Sequence, residues 1–87
     1  NDRVHSFVRW SETDKLIIVT NFDAKDTFGF ELQLPQDIIQ QWKLNDGTYK
    51  AIDQLYGEEE ARLTIEEQSG RMRVDIKPLQ SFVFRVE

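Results

Sequence analysis

The chain has 87 residues, enough for one domain and too few for two. It holds no cysteine, one histidine, and a net charge of -5 from 16 acidic and 11 basic side chains. These counts exclude a disulfide framework, a thiolate nucleophile and the usual zinc ligand sets, and they argue against a nucleic-acid partner.

A hydrophobic share of 39% supports a core and is too high for a disordered tail. No apolar run approaches the roughly 20 residues of a membrane helix, so no membrane partner is expected. No signal peptide, internal repeat or linker stands out. The first residue is Asn1 and not methionine, so the chain reads as a piece excised or processed from something longer.

Alternation with period two, the mark of a strand with one buried face, dominates the chain. Val4 to Trp10 opens it with apolar residues on both faces. Ser11-Glu12-Thr13-Asp14 then turns the chain into Leu16–Val19, a continuous apolar run that fits a strand covered on both sides. After Asp23-Ala24-Lys25-Asp26, the stretch Thr27 to Leu34 alternates cleanly, with Phe28, Phe30, Leu32 and Leu34 on one side. Pro35 ends it. Asp37 is placed to cap a short helical turn near residues 36–42, in which Ile38, Ile39 and Trp42 are spaced three and four apart. Asn45-Asp46-Gly47 precedes a fourth strand, Tyr49 to Tyr56, interrupted by Asp53 and Gln54. Gly57 and the run Glu58-Glu59-Glu60 follow it. Leu63 and Ile65 mark a fifth strand, and Gln68-Ser69-Gly70 is a tight link to a sixth, Arg71 to Lys77, whose inner set is Met72, Val74 and Ile76. Pro78 stops it, because proline cannot donate to a strand ladder. Phe82, Phe84 and Val86 mark the last strand. About seven short strands with turn signals between them predict an all-β fold, a small antiparallel two-sheet β-sandwich.

The same pass finds no catalytic constellation. His5 is the only histidine, and its neighbour Ser6 points to the other face of a strand, so the pair cannot form a nucleophile and base. Asn45-Asp46-Gly47 resembles a scrap of a calcium loop but lacks the further carboxylates at the required spacing. Paired carboxylates suited to glycosidic hydrolysis occur by chance among 16. Nearly all fall in turns or on polar strand faces, where nothing raises the pKa of one for acid catalysis. No glycine-rich phosphate loop is present, so no cofactor is expected. Trp10, Trp42, Tyr49 and Tyr56 are the aromatics suited to stacking on sugar rings, a role that competes with core or interface packing.

Broken alternation carries more information. Phe7, Ile17, Val19 and Val83 do not fit a simple two-face scheme. If their strands are neighbours, the second face is an apolar patch that a lone monomer seldom exposes, and a docking surface for another domain is expected there.

Some of these residues also follow a known pattern. Phe7-Val8-Arg9-Trp10, a polar loop, and then Leu16-Ile17-Ile18-Val19-Thr20-Asn21-Phe22 resemble the opening strands of the C-terminal β-domain of α-amylase-type enzymes, glycoside hydrolase family 13. Leu34-Pro35 resembles that family's strand end before its variable middle, and Pro78-Leu79-Gln80-Ser81-Phe82-Val83-Phe84 its closing segment. The resemblance implies an accessory sandwich domain after a catalytic (β/α)₈ barrel of the same chain. The whole enzyme would act on α-1,4-glucans such as starch or maltodextrin, outside the cytoplasm. The domain would support the barrel, with α-glucan contact as a further expectation. No functional residue is carried over from the family. Two other readings stay open, an independent carbohydrate-binding module and an immunoglobulin-like interaction domain.

Overall fold

A computed structural model describes residues 3–57 and 59–87. Seven strands and one short helix follow in the order β1 (Val4–Trp10), β2 (Lys15–Asn21), β3 (Phe28–Leu34), α1 (Gln36–Gln41), β4 (Gly47–Asp53), β5 (Glu60–Glu66), β6 (Ser69–Ile76) and β7 (Ser81–Val86). The expected all-β antiparallel architecture is the one observed. Its strands form one continuous sheet in the order β1-β2-β7-β4-β5-β6-β3, where two separate sheets were expected.

The reason is a single short ladder. β1 and β2 pair over seven residues, from Val4 opposite Asn21 to Trp10 opposite Lys15. The link between the two halves of the sheet, β4 with β7, has only the pairs Ala51–Val86, Ile52–Arg85 and Asp53–Phe84. The sheet bends at this junction and closes over its own inner face. Its edges, β1 and β3, come close without pairing, since a shallow apolar cavity of about 190 Å³ is lined by both Val8 and Leu32.

The alternating strands bury the set their pattern announces. Leu32 and Leu34 of β3, Leu63 and Ile65 of β5, Met72, Val74 and Ile76 of β6, and Phe82, Phe84 and Val86 of β7 are all core residues. Burying each such side chain contributes about 1.5–3 kcal/mol before entropy is counted. Gly70 allows α1 to sit close over one end of the barrel-like sheet. A methyl group on it would lie 2.9 Å from Leu34 Cβ and 3.0 Å from Ile65 Cδ1. Ile39 of α1 and Trp42 just after it plug that end.

Two local expectations shift. Asp37 lies inside the first turn of α1 and does not cap it; Pro35 occupies the cap with no side-chain hydrogen bond. Asp37 there still faces the positive end of the helix. The fourth strand is Gly47–Asp53 rather than Tyr49 to Tyr56, because the Asp53 carboxylate turns inward and gathers the backbone amides of Leu55, Tyr56 and Val83, at 3.2, 3.1 and 3.0 Å. A side chain that accepts local amides offers the backbone an alternative to the ladder.

Candidate functional site

The groups with chemical potential are scattered. His5 stands on the outer face of β1 with its ring edge-on to Phe22 at 5.2 Å, and Ser6, opposite Val19, lies on the inner face. Asp46 accepts the Glu67 backbone N–H at 3.2 Å and braces two turns against each other. Asn45 exchanges two backbone hydrogen bonds with the Tyr49 hydroxyl. Glu59 and Glu60 are exposed, and Glu58 lies outside the described residues. Among the described residues, no three His, Asp or Glu side chains gather as a metal-ligand set, and no helix is long and apolar enough to cross a membrane.

Three buried polar residues, Asn21, Asp23 and Asp53, organise one end of the barrel, and sequence reasoning passed over all three. The Asn21 amide donates to the carbonyls of Asp26 at 2.9 Å and Lys77 at 3.0 Å, and its oxygen accepts the Asp23 N–H at 2.9 Å. It thereby ties the end of β2 to the end of β6. Asp23 Oδ1 accepts the N–H groups of Lys25 and Asp26 at 2.7 and 2.8 Å, and Arg3 reaches its Oδ2 at 3.3 Å. The Lys25 amide first, then the Asp26 amide and the Arg3 charge, hold the Asp23 carboxyl below the ordinary carboxylate range, against the opposing effect of desolvation. Asp23 also accepts, through its backbone carbonyl, the N–H of Leu79 at 3.0 Å. The only signal for this in the sequence was a polar residue in phase with buried ones, Asn21 after Ile17 and Val19.

The apolar second face exists, with different members from those expected. β1, β2 and β7 are neighbours, as the docking argument required. Ile17 and Val19, however, point into the core opposite Phe84 and Phe82 and are fully buried. The outward residues of β2 are Leu16 and Ile18. Phe7 pairs with Ile18 and Ile18 with Val83, so these three form a row across the outside of the sheet. Phe7 is 50% exposed, with Arg9 over its ring at 5.8 Å. Leu16 and Ile52 flank the row on either side of Arg85. Beyond it, the loops at the Asn21 end present Phe22, Leu55, Tyr56 and Leu79 to solvent. Leu79 does so from a left-handed backbone (φ 55°) that a branched residue seldom adopts.

The four candidate stacking aromatics do not form a platform. Tyr49 packs on the core with its hydroxyl engaged by Asn45. Tyr56 is exposed alone in the β4–β5 loop. Trp42 is only 4% exposed and Trp10 is 46% exposed. These two meet edge to face, with centroids 6.1 Å apart and rings at 73°, far from coplanar. They share the wall of a cleft of about 550 Å³ at the α1 end, to which Glu12, Lys15, Gln41 and Lys43 contribute polar heads.

Comparison with protein families finds a match to the model described as "Alpha amylase, C-terminal all-beta domain", over residues 1–87. No curated protein and no solved structure matches the chain.

Proposed function

Because the chain belongs to the family of C-terminal all-β domains of α-amylases, a family of non-catalytic accessory domains, we propose that it docks through the outer face of β1, β2 and β7 onto the catalytic (β/α)₈ barrel of the same enzyme. The enzyme would be a glycoside hydrolase acting on α-1,4-glucans, and this domain would stabilise its barrel.

The observation that carries the reading is the row Phe7–Ile18–Val83. Apolar side chains on the wet face of a sheet lower solubility and gain nothing unless covered. The rim extends the same surface. Leu79 holds a conformation costing about 1–2 kcal/mol and places its side chain in water. A partner surface that buries Leu79 would offset that cost.

An independent carbohydrate-binding module is favoured less, since its two exposed candidates, Trp10 and Tyr56, sit at opposite ends of the barrel. The docking reading has a direct test. Hydroxyl-radical footprinting compares this chain alone with the same segment inside the full-length enzyme. Phe7, Phe22 and Leu79 are expected to be several-fold less oxidised in the enzyme, and Trp10 to be unchanged. Equal oxidation of Phe7 in both would refute docking through this face.

A further inference from the structure

Charge is unevenly placed on this sheet. The chain holds 16 acidic side chains and carries -5 overall, yet β1, β2 and β7 contain no Asp or Glu along their whole length. Elsewhere in the sheet, β5 and β6 carry both signs and pair them, Arg71 with Glu66 at 3.5 Å and Arg73 with Asp75 at 2.9 Å. On the outer face of β1, β2 and β7, Arg9 and Arg85 flank Leu16 in one cross-strand row. Arg85 is matched from the β1–β2 turn, where Asp14 Oδ1 lies 3.2 Å from its Nε. Arg9 is not matched. Its guanidinium lies over the Phe7 ring, 5.8 Å from the centroid, and makes no hydrogen bond or ion pair among the described residues.

We propose that the enzyme surface covering this face presents a carboxylate to Arg9, an Asp or Glu from outside residues 1–87. The inference rests on the docking reading above and adds the chemistry of the partner. A surface that covers Phe7, Ile18 and Val83 also covers the guanidinium lying on Phe7. A cation taken out of water without a counter-charge is strongly unfavourable, and a phenyl face recovers only part of that loss. β1, β2 and β7 have no carboxylate to supply the counter-charge, and Asp14 is already engaged with Arg85. It therefore has to come from the partner. A carboxylate meets the planar fork of an arginine through two parallel hydrogen bonds, which fixes the orientation of docking as well as its place. The wider field acts in the same direction. The acidic remainder of the chain repels an acidic surface, so the face without carboxylates is the one that admits it.

Both parts are tested in the full-length enzyme. Arg9→Lys keeps the cation and introduces an amine. A water-soluble carbodiimide should join that amine to an Asp or Glu outside residues 1–87, seen as a cross-linked peptide pair by mass spectrometry. Arg9→Glu should raise hydroxyl-radical oxidation of Phe7 several-fold, toward its level in this chain alone. Arg62→Glu, the same charge change on β5, should leave it unchanged. If Phe7 is protected in the native enzyme, then equal protection in Arg9→Glu, or no coupling from position 9 beyond this segment, would overturn the carboxylate and leave docking standing. Phe7 unprotected in the native enzyme would overturn docking and this inference together. Coupling only between two copies of the enzyme would assign the face to self-association and overturn the inference too.

Discussion

Replacing Asn21 with alanine tests the polar plug that holds the loop end of the barrel. Its side chain makes three hydrogen bonds of 3.0 Å or shorter, to Asp26 O, Lys77 O and Asp23 N–H, and only 1% of the residue is exposed. At about 0.5–1.5 kcal/mol net for each bond, the three account for about 3 kcal/mol. Alanine also leaves a buried N–H and two carbonyls to find other partners, which raises the figure toward about 4 kcal/mol. A domain of this size has a total stability of about 4–13 kcal/mol, at about 0.05–0.15 kcal/mol per residue. The substitution therefore removes about a quarter of the margin or more. Urea unfolding followed by circular dichroism measures it, as a drop in midpoint with the slope unchanged. Asn21→Asp separates the roles of the amide. It can still accept from Asp23 N–H but cannot donate to the two carbonyls, and it sets a charge beside them, so at neutral pH it should be no more stable than the alanine variant. The local readout is amide exchange at Leu79, whose N–H donates to Asp23 O; it should speed up in both variants. A loss below about 1 kcal/mol for alanine would refute the reasoning, because it would mean that water replaces the side chain at no cost.

The corrected parity of β2 predicts unequal neighbours: Ile17→Ala should lose about 2–5 kcal/mol, and Ile18→Thr about 0.5 kcal/mol or less in this chain alone. Similar losses in urea unfolding would mean that the two faces are not distinct. Gly70→Ala should destabilise by about 1–3 kcal/mol in the same assay, because its methyl collides with Leu34 and Ile65 beneath α1; an unchanged midpoint would show that α1 sits more loosely than described. The depressed pKa of Asp23 contributes stability that is full above the unfolded carboxylate value, about 3.9, and is lost as the pH falls through the lower folded value. Between pH 5 and 2 the urea midpoint should therefore fall less steeply for Asp23→Asn, which keeps an acceptor oxygen without the charge, than for the native chain; parallel curves would count against this linkage.

How far the sequence foretold this structure depends on whether each strand carries its own contrast. β3 and β6 alternate apolar and polar residues, so a residue's face follows from its position; β6 buries its whole expected set, and β3 buries Leu32 and Leu34 and leaves Phe28 and Phe30 half-buried against the core. β2 carries no such contrast. Four apolar residues in a row leave parity open, and Lys15 and Thr20 at its ends give opposite hints. The matter is decided by Phe84 and Phe82 across the ladder, partners about 65 residues away in the chain that no local pattern can name. The single sheet and the early end of β4 are likewise non-local, since a three-pair ladder and a carboxylate collecting amides from another strand join the parts. So is the Trp10–Trp42 contact, which needs the whole β1-to-α1 fold to exist. The parity correction also bears on function. Ile17 and Val19 drew notice only because their run had no polar face, and burial inside the domain explains them. Phe7 and Val83 broke alternation in strands that do have a wet side, and burial does not explain them. Their register with Ile18 joins them in one row on that wet side. An irregularity in a patterned strand here falls on the outer face, where Ile17 and Val19 of the unpatterned run do not, and under the proposed docking Phe7, Ile18 and Val83 are where a covering surface should be sought.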